Sequence, residues 1–598
     1  MTAAPVTPVR GALAHAAALV DLCARTCEAY GMSDLAARLV TRGRALAGAA
    51  VHVLVVGDFK RGKSSLVNAL VGAHACPVDD NVATAVPTYV RHGQRALAEL
   101  MFDGDPPRRE PVPIDDVRHV VFEGGRAGTE RISGVEIQLP CELLADGLVV
   151  VDTPGVGGLG STHAAGSLAA ISLADAVLFV TDAEQPLNRN ELEFLRHARR
   201  LCGTVACVET KTDFYPGWRA VRDADAQALG EAGLDVPLIP VSAPLRALAA
   251  ETGDVALDEE SGFDVLVRFL VETVAGASLG RLASGAAAEV VAVCDQIEGQ
   301  FEAERTALTG PAQAEQVAGR LATAAAAIDG LRAAAAPWRR ALDDGGAQLI
   351  SDLDHDLRGR IDRVVEEAGH AIEAGDPADT WPQLPAWLQA RIFPDLIDNY
   401  ALLCRRVEQL ADEVGRTFRE STGAAVAFPT ITLSGSRAAT EADRERISGG
   451  GPAMAALRNA YGGALRFTLL GGLTGIVLDP IDVGIALVMG HTGLRDEKER
   501  QQLHRRTQAI QAVRRYCDEV ILVTGKGWRE ALGLIQHQLR EHHAALADEL
   551  HRSNALATDA VTAAQARPES ARTSRIADLE AELVRVRELR QRARAVIA

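Results

Sequence analysis

Lysine is scarce in this chain of 598 residues, because only five of its 62 basic residues are lysines. Three of the five, Lys60, Lys63 and Lys211, fall within the first 211 residues. Arginine and lysine differ in shape and hydration, so chemistry that needs a compact ammonium group resists replacement by arginine. Because the chain uses arginine almost everywhere else, we consider these three lysines candidates for a functional site.

Aromatic side chains make up only 4% of the sequence, whereas hydrophobic residues make up 47%. This composition is that of a globular protein, and it excludes a mostly disordered chain, a collagen and a small disulfide scaffold. The 80 acidic residues outnumber the 62 basic ones and give a net charge of −18. Because phosphate neutralisation dominates nucleic-acid affinity, we expect no nucleic-acid partner.

Cysteine is also sparse, with nine residues, no CxxC pair and no Cys/His spacing typical of a zinc site. The sequence predicts buried, reduced thiols and a reducing compartment. Near the N-terminus, residues 11–26 loosely imitate a signal peptide, but only Arg10 precedes the apolar run and Asp21 ends it. We therefore expect an amphipathic helix there rather than an export signal.

A phosphate-binding motif follows the first apolar strand. Residues 51–56 (VHVLVV) predict a buried strand, and GDFKRGKS, an instance of GxxxxGK[ST], lies between it and a helical pattern. Loops of this kind surround the β-phosphate with backbone amides, while Lys63 neutralises phosphate oxygens and takes part in catalysis and Ser64 ligates Mg²⁺. The expected nucleotide contacts are Gly57, Asp58, Phe59, Lys60, Arg61, Gly62, Lys63, Ser64 and Ser65.

A second motif, GLVVVDTPG, spans residues 147–155. Its apolar part predicts a buried strand, and Asp152 lies at the carboxyl end of that strand, where a carboxylate can reach Mg²⁺. Gly155 can offer its backbone amide to the γ-phosphate. The alternative, an ordinary turn after a strand, is disfavoured because Lys63 precedes it in the expected order.

A third motif, TKTD, follows the apolar strand TVACVE. The Asp213 carboxylate can accept hydrogen bonds from guanine N1–H and the N2 amine, and the stem of Lys211 can lie over the base. Adenine lacks those donors and would leave the carboxylate unpaired, so GTP and GDP with Mg²⁺ are the predicted ligands. A fourth strand, VPLIPVSA, supplies a loop that can contact guanine O6. The expected base contacts are Thr210, Lys211, Asp213, Ser242 and Ala243.

A switch threonine is the remaining element of such a site. Thr84 and Thr88 in NVATAVPTYV are the candidates for a hydroxyl that reaches Mg²⁺ when the γ-phosphate is present. Thr88 lies in a pattern typical of the start of a strand, so Thr84 is the preferred candidate for metal binding and catalysis. The predicted metal ligands are therefore Ser64, Thr84 and Asp152.

The segments GDFKRGKSSLVNAL, VATAVPT, DTPG and TKTD match, in this order, motifs of the dynamin superfamily of large GTPases, which the chain resembles over residues 51–243. The resemblance is closest to bacterial dynamin-like proteins, including the isoniazid-inducible dynamin-like proteins of mycobacteria. It implies hydrolysis of GTP to GDP and phosphate, and self-association through the GTPase domains. It also implies a cytoplasmic protein, peripheral on the inner face of the cell membrane, and leaves room for a paralogue as partner.

The sequence pattern changes near Ser278 from strands alternating with helices to long helix-period runs. We expect an α/β GTPase domain, with a P-loop and a central, mostly parallel sheet flanked by helices, joined to an extended all-α bundle stalk with an apolar tip. Residues 103–113 (DGDPPRREPVP) predict a loop of unassigned role. The expected divisions are N-terminal neck helices (1–50), the GTPase domain (51–275), the stalk (276–460), the tip (461–492) and returning helices (493–598).

Two departures from the family pattern bear on catalysis. Val156 follows DTPG, so a water-positioning glutamine is absent there, and Phe59 and Lys60 stand where dynamin has glutamine and serine. Lys60 also matches the place of an internal arginine finger in some relatives, where a cation can stabilise charge that develops on the phosphates. The alternative, that Lys60 and Arg61 are solvated loop charges, is equally supported.

Residues 464–490 hold two apolar halves that Asp479 and Pro480 separate. A helix of about twelve residues reaches ~18 Å, short of the ~30 Å hydrocarbon core, and a continuous span would place Asp479 near mid-membrane. We expect two short helices with a membrane-inserting tip at Leu478, Asp479, Pro480 and Ile481, and flanking arginines that meet anionic lipid. A spanning hairpin and a buried core hairpin remain as alternatives.

The features together predict a GTP-hydrolysing membrane-remodelling protein of dynamin type, and the resemblance favours fission over fusion. Motion of the stalk would require hinges, which we expect near residues 46–50 and 270–280. Two other classes stay open: a regulatory GTPase that recruits a protein partner, and a nucleotide-gated membrane scaffold that does not hydrolyse GTP. Liposome stimulation of GTP turnover is expected only of the remodelling protein.

Overall fold

The computed structural model describes residues 8–78, 86–102, 108–117, 126–127, 130–153, 171, 174–374, 384–422 and 493–597. Helices α1 (Pro8–Ala29) and α2 (Ser33–Ala47) precede a domain built on one sheet, named the head and comprising residues 51–275. Long helices follow the head. The expected combination of an α/β domain with an all-α region is confirmed.

The sheet of the head is mostly parallel, as expected. Its strands lie in the order β10-β9-β8-β1-β7-β2-β6-β3-β4, with β5 paired to β6. The half from β10 to β7 is wholly parallel, whereas β3 and β4 extend the other half in antiparallel fashion. The strands are β1 (Val51–Gly57), β2 (Thr88–His92), β3 (Leu97–Phe102), β4 (Arg108–Val112), β5 (Arg126–Ala127), β6 (Glu130–Leu139), β7 (Leu148–Asp152), β8 (Ala176–Asp182), β9 (Val205–Thr210) and β10 (Leu238–Pro240).

The parallel half of the sheet positions the site. Strands β7, β8 and β9 are buried along their whole length, which explains their nearly continuous apolar sequences. Because parallel strands end at the same edge, the segments that follow β1, β7, β8 and β9 meet there. The helices of the head are α3 (Lys63–Val71), α4 (Arg189–Leu201), α5 (Trp218–Glu231), α6 (Ala243–Thr252), α7 (Val255–Glu260) and α8 (Phe263–Arg268).

A π-helix over Phe269–Ala275 carries the chain from the head into the long helices without a break. Short π-helical segments occur often at functional positions in helices, because they locally change the hydrogen-bond register. The long helices are α9 (Gly276–Thr309), α10 (Pro311–Arg332), α11 (Pro337–Ala374), α12 (Leu384–Thr422), α13 (Gly493–Ala566) and α14 (Glu569–Ile597).

Helices α1, α9 and α14 pack together beside the head and are named the neck. The apolar face of α14 is buried at Leu579, Leu583 and Val586. At the rim of this core, Arg575 of α14 donates to both carboxylate oxygens of Glu304 on α9, at 2.8 and 2.7 Å. The N-terminal and C-terminal helices of the chain therefore share one core with the helix that leaves the head.

Helices α10 to α13 form a second bundle, named the trunk. Its core contains Trp338 and Phe418, whose ring centroids lie 5.9 Å apart, and His543, which stacks on Trp338 at 5.4 Å. Burial lowers the pKa of His543, and a hydrogen bond with the Leu539 carbonyl opposes that shift. His543 therefore packs as a neutral ring in an apolar core.

The sequence assigned residues 103–113 to a loop, and this assignment is wrong for Arg108–Val112, which form β4. The strand lies at the edge of the sheet, where a proline such as Pro111 is tolerated. Arg109 reaches across β3 to Glu136 on β6 at 2.9 Å. β4 therefore makes a cross-strand charge pair and lacks the alternation of apolar residues by which strands are predicted. This explains why the sequence pattern did not predict it.

The predicted membrane tip at Leu478, Asp479, Pro480 and Ile481 lies outside the described residues. In the part of the chain that the structure describes, no helix combines the length and the apolar character needed to cross a bilayer.

Candidate functional site

The phosphate loop connects β1 to α3 at the carboxyl edge of the sheet. Gly57 and Gly62 have left-handed backbones, with φ of 151° and 90°. A Cβ at Gly57 would lie 2.2 Å from the Val180 carbonyl oxygen, and one at Gly62 would lie 3.1 Å from the Thr210 hydroxyl. Only glycine allows the loop to approach the neighbouring strands this closely.

Lys63, the first residue of α3, is buried under the loop. Its Nζ donates to the carbonyl oxygens of Gly57 at 3.0 Å and Asp58 at 2.8 Å. Burial lowers the pKa of Lys63, while the carboxylates of Asp152 and Asp58 oppose the shift. The ammonium group is thus held over the loop by carbonyl groups that phosphate oxygens could replace.

Ser64 and Asp152 come together as the sequence predicted for a metal site. The Ser64 hydroxyl donates to Asp152 Oδ2 at 2.6 Å, and Asp152 is 1% exposed. Its other oxygen, Oδ1, is buried without a hydrogen-bond partner among the described residues. Burial raises the pKa of Asp152, against the opposing effects of Ser64 and Lys63. An orphaned carboxylate oxygen beside a hydroxyl fits Mg²⁺, which prefers hard oxygen ligands.

The preferred switch threonine, Thr84, lies outside the described residues, and so does Gly155. The other candidate, Thr88, begins β2, as its pattern indicated. Thr88 pairs with Asp152 in the antiparallel register of β2 and β7. Its hydroxyl is buried without a hydrogen-bond partner in the described structure.

The residues predicted to recognise the base lie at the ends of β9 and β10. The Thr210 hydroxyl donates to the Arg61 carbonyl oxygen at 2.6 Å and so connects this loop to the phosphate loop. The Ser242 hydroxyl donates to Asp213 Oδ1 at 2.7 Å. Ser242 also caps the helix α6, which begins at Ala243. The structure therefore brings the TKTD and SA motifs together, with one oxygen of Asp213 oriented by Ser242.

Lys211 is held by two contacts. Its Nζ donates to the Lys60 carbonyl oxygen at 2.8 Å and to Asp182 Oδ2 at 2.7 Å. Lys211 and Lys60 both have left-handed backbones, with φ of 60° and 64°, and they are the only such non-glycine residues among those described. The strained conformations of the two lysines are thus linked by a direct hydrogen bond.

Lys60 and Phe59 form the exposed part of the phosphate loop. Phe59 is 43% exposed, and the Lys60 ammonium lies 5.7 Å from the centre of its ring. Ser65, the last predicted contact, lies in the first turn of α3. Lys60 is therefore available at the outer edge of the site.

Arg61, unlike its neighbour Lys60, is buried. For this residue the alternative of a solvated loop charge is wrong, because its side chain is buried behind the loop. It donates to Asp182 Oδ1 and lies 3.6 Å from Glu191 on α4. These two carboxylates, with Asp58, raise the pKa of the guanidinium against the opposing effect of burial. Its side chain supports the loop from beneath.

Asp182 also lies at this site, although no motif in the sequence predicted it. It ends β8, a strand beside β1, just as Asp152 ends β7 on the other side. The available signal was an aspartate at the end of an apolar run, AVLFVTD. That signal is weak by itself, because only the sheet order shows that this strand borders β1.

Strand β9 carries another buried carboxyl group, directly before the base loop. Glu209 of β9 is fully buried, and neither of its carboxylate oxygens has a hydrogen-bond partner in the described structure. Burial, assisted by the negative charge of Asp225, raises the pKa of Glu209 to about 7. Glu209 precedes Thr210 directly, so its ionisation occurs next to the base loop.

Comparison with known proteins agrees with the geometry. The model of the dynamin family matches residues 53–208. The chain is 32% identical over 561 residues to the isoniazid-induced protein IniA of Mycobacterium tuberculosis, covering 92% of this chain and 88% of that protein. It is 33% identical to IniC of the same organism over 34% of this chain and 44% of that protein. It is also 32% identical to a bacterial dynamin-like protein of Nostoc punctiforme, over 24% of this chain and 22% of that protein.

The motif order, the convergence of the three loops and the similarity across 92% of the chain lead to one conclusion. The family resemblance inferred from the sequence is confirmed. The chain belongs to the dynamin family of large GTPases.

Proposed function

We propose that this protein binds GTP with Mg²⁺, hydrolyses it to GDP and phosphate, and uses the reaction to remodel a lipid membrane. The observation that carries the proposal is the meeting of three groups at one sheet edge. These are Lys63 over the phosphate loop, Ser64 hydrogen-bonded to the Asp152 carboxylate, and Asp213 oriented by Ser242. Each group matches one part of Mg²⁺–GTP.

Phosphate binding rests on Lys63 and the loop amides. Phosphate oxygens would replace the Gly57 and Asp58 carbonyl groups as partners of the Lys63 ammonium, which satisfies the buried charge better. Ser64 and Asp152 would hold Mg²⁺, with Thr84 added from the switch segment. The metal, when bound, neutralises charge on the β- and γ-phosphate oxygens.

Base selection rests on Asp213. Ser242 occupies one oxygen of this carboxylate and fixes its plane, so that the group accepts from guanine N1–H and N2 without first losing rotational freedom. Lys211 is held by the Lys60 carbonyl and Asp182, and its aliphatic stem would cover the base.

Catalysis rests on the phosphate loop itself, because Val156 replaces a water-positioning glutamine. Lys60 is free of carboxylate ion pairs among the described residues and lies at the exposed rim of the loop, 5.7 Å from the Phe59 ring. A cation there would stabilise charge that develops on the phosphates. Lys60 would therefore act on the transition state, whereas Lys63 would also bind the ground state.

Two exposed aromatic rings support pairing of GTPase domains across the nucleotide. Phe59 is 43% exposed, and Phe214, directly after TKTD, is 72% exposed. Tyr215 packs edge-on against Phe214 at 5.0 Å. In a chain with only 4% aromatic residues, rings at both ends of the site provide apolar area that a second head could cover.

Transmission to the membrane requires that the head and the helices move relative to each other. The π-helix Phe269–Ala275 overlaps the predicted hinge at 270–280 and joins α8 to α9 directly. A change of its hydrogen-bond register would rotate α9, which packs against α1 and α14. The apolar segment 464–490 would insert into one leaflet and receive that motion.

Liposome co-sedimentation with simultaneous GTPase measurement tests this proposal. The test variant carries Leu478→Asp and Ile481→Asp, and the control carries Leu503→Asp and Leu522→Asp, two exposed leucines of α13. We expect the wild type and the control to pellet with anionic liposomes and to hydrolyse GTP faster with them. The test variant should stay in solution and keep its basal rate.

Other outcomes point to the alternatives. A wild type that stays in solution would favour the regulatory switch that recruits a protein. A wild type that pellets but consumes no GTP would favour the membrane scaffold. Equal pelleting of the test variant would show that the tip is not at Leu478 and Ile481.

A further inference from the structure

Asp182 joins the phosphate loop to the base loop, although it belongs to none of the nucleotide-binding motifs. We propose that Asp182 is a positioning residue for guanine nucleotides, which holds the two loops in the binding arrangement before the nucleotide arrives. The inference rests on the proposed function, because it assigns a role within the same GTP site.

The two oxygens of Asp182 have different partners. Oδ2 accepts from Lys211 Nζ at 2.7 Å, and Oδ1 accepts from the Arg61 guanidinium. Oδ1 also faces the backbone N–H of Glu184 at 3.4 Å. The Asp182 side chain is 2% exposed, so both cations meet it away from water.

Charge makes a carboxylate necessary at this position. Arg61 is buried and always charged, so without Asp182 it would keep, as an ion-pair partner among the described residues, Glu191 at 3.6 Å. A buried cation that loses its main partner is strongly destabilising. Lys211 is more exposed than Arg61 and could turn toward solvent. Loss of the carboxylate would therefore release Lys211 first.

The contact between Asp182 and Lys211 also helps to maintain two strained backbone conformations. Lys211 and Lys60 both hold left-handed conformations, which cost free energy for residues with a side chain. The hydrogen bond from Lys211 to the Lys60 carbonyl exists only while the ammonium stays where Asp182 holds it. Asp182 thus fixes the base loop directly and the outer part of the phosphate loop through Lys211.

Preorganisation predicts an effect on binding rather than on chemistry. Contacts within the protein hold the two loops through Asp182, so the nucleotide does not have to order them on binding. Asp182→Asn keeps the shape of the side chain but weakens its hold on both cations. We expect GDP and GTP to bind about tenfold more weakly through faster release, with kcat at saturating GTP changed less than about threefold.

A double-mutant cycle separates positioning from a general structural effect. Nucleotide dissociation constants are measured with fluorescent GDP for the wild type, Asp182→Asn, Lys211→Met and the double variant. If Asp182 acts through Lys211, the double variant binds no more than about threefold more weakly than Lys211→Met alone. Fully additive losses, or unchanged binding in Asp182→Asn, would overturn the proposal.

A second pair of variants serves as the control for misfolding. Arg61→Met combined with Asp182→Asn leaves no unpaired buried cation, and Arg61→Met alone keeps the Asp182–Lys211 contact. We expect the combined variant to bind GDP more weakly, and to release it faster, than Arg61→Met alone. Equal binding by the two would also overturn the proposal, whereas a wild type that binds no GTP would instead overturn the proposed function.

Discussion

Arg200, in the last turn of α4, donates to the Asp398 carboxylate on α12 and so joins the head to the trunk. His197, on the same helix, is buried, and its pKa is lowered by burial against the opposing charge of Asp398. In the first turn of α4, Glu191 faces Arg61 of the phosphate loop. A single helix therefore contacts the nucleotide site at one end and the trunk at the other.

Arg200→Ala should loosen the head from the trunk with little loss of stability. The Arg200 side chain is 53% exposed, and exposed ion pairs contribute about 0.2–1 kcal/mol, enough to shift a two-state equilibrium up to roughly fivefold. Energy transfer between fluorophores on the head and on α12 would report the shift. Arg189→Ala removes a pair with Glu193 on the same helix and, among the described residues, no contact with the trunk, so it should leave the distances unchanged. Identical distances in both variants would contradict the prediction.

Lys60→Ala should slow GTP turnover at saturating GTP. A cation supplied to the transition state of phosphoryl transfer can raise kcat by about 10³–10⁵, so a loss of tenfold or more is expected, with a smaller change in KM. The measurement is steady-state phosphate release with and without liposomes. Lys526→Ala, an exposed lysine of α13, serves as the control. An unchanged kcat would show that Lys60 is only a loop charge.

Asp213→Asn should change the base that the site prefers. The amide group of asparagine has an NH2 donor where the carboxylate had an acceptor. One hydrogen bond from guanine is therefore replaced by two donors that face each other. Xanthine has a carbonyl in place of the N2 amine and can accept from that amide. Sites built around such hydrogen bonds discriminate by about 10⁴–10⁵ at most. Competition of XTP and GTP against fluorescent GDP measures the exchange, and an unaltered GTP preference would place base recognition elsewhere.

Glu209→Gln should reduce the pH dependence of stability. The pKa of Glu209 is raised from 4.5 to about 7 by burial first and Asp225 second, so the folded state binds the proton more tightly than the unfolded chain. The free energy of unfolding should therefore fall as pH rises from about 4.5 to 7, by up to about 3 kcal/mol from this group.

The thermal midpoint of the protein at pH 5 and at pH 8 tests this effect of Glu209. The thermal midpoint of the wild type should fall more between pH 5 and pH 8 than that of Glu209→Gln. Glu231→Gln changes an exposed carboxylate of α5 and should behave like the wild type. If Glu209→Gln showed the full wild-type difference between the two pH values, another group would be responsible.

The phosphate loop, the Asp152 strand and the TKTD loop could be predicted because each motif is local. GxxxxGKS needs only a strand before it and a helix after it, and both have clear periodicity in the sequence. The parallel arrangement followed from the alternation of strands and helices. Family membership followed from the order of the motifs and is confirmed across most of the chain.

Other features depended on neighbours that are distant in sequence. β4 has charged residues and Pro111 instead of an apolar alternation, and its pairing partner is β3. Arg61 lies in a motif that the sequence assigns to nucleotide binding, and only the position of β8 shows that its guanidinium faces Asp182. No local pattern distinguishes such an aspartate from the end of an ordinary strand.

The sequence by itself determined the chemistry of the site, because the residue types that bind phosphate, metal and guanine are set by covalent structure and short spacing. Tertiary structure decided how these residues are supported. Asp182 connects Arg61 to Lys211, and Arg200 connects the head to Asp398, across separations of 121, 29 and 198 residues. Ion pairs of this range form only when the sheet order and helix packing bring their partners together, and that packing is a property of the whole chain.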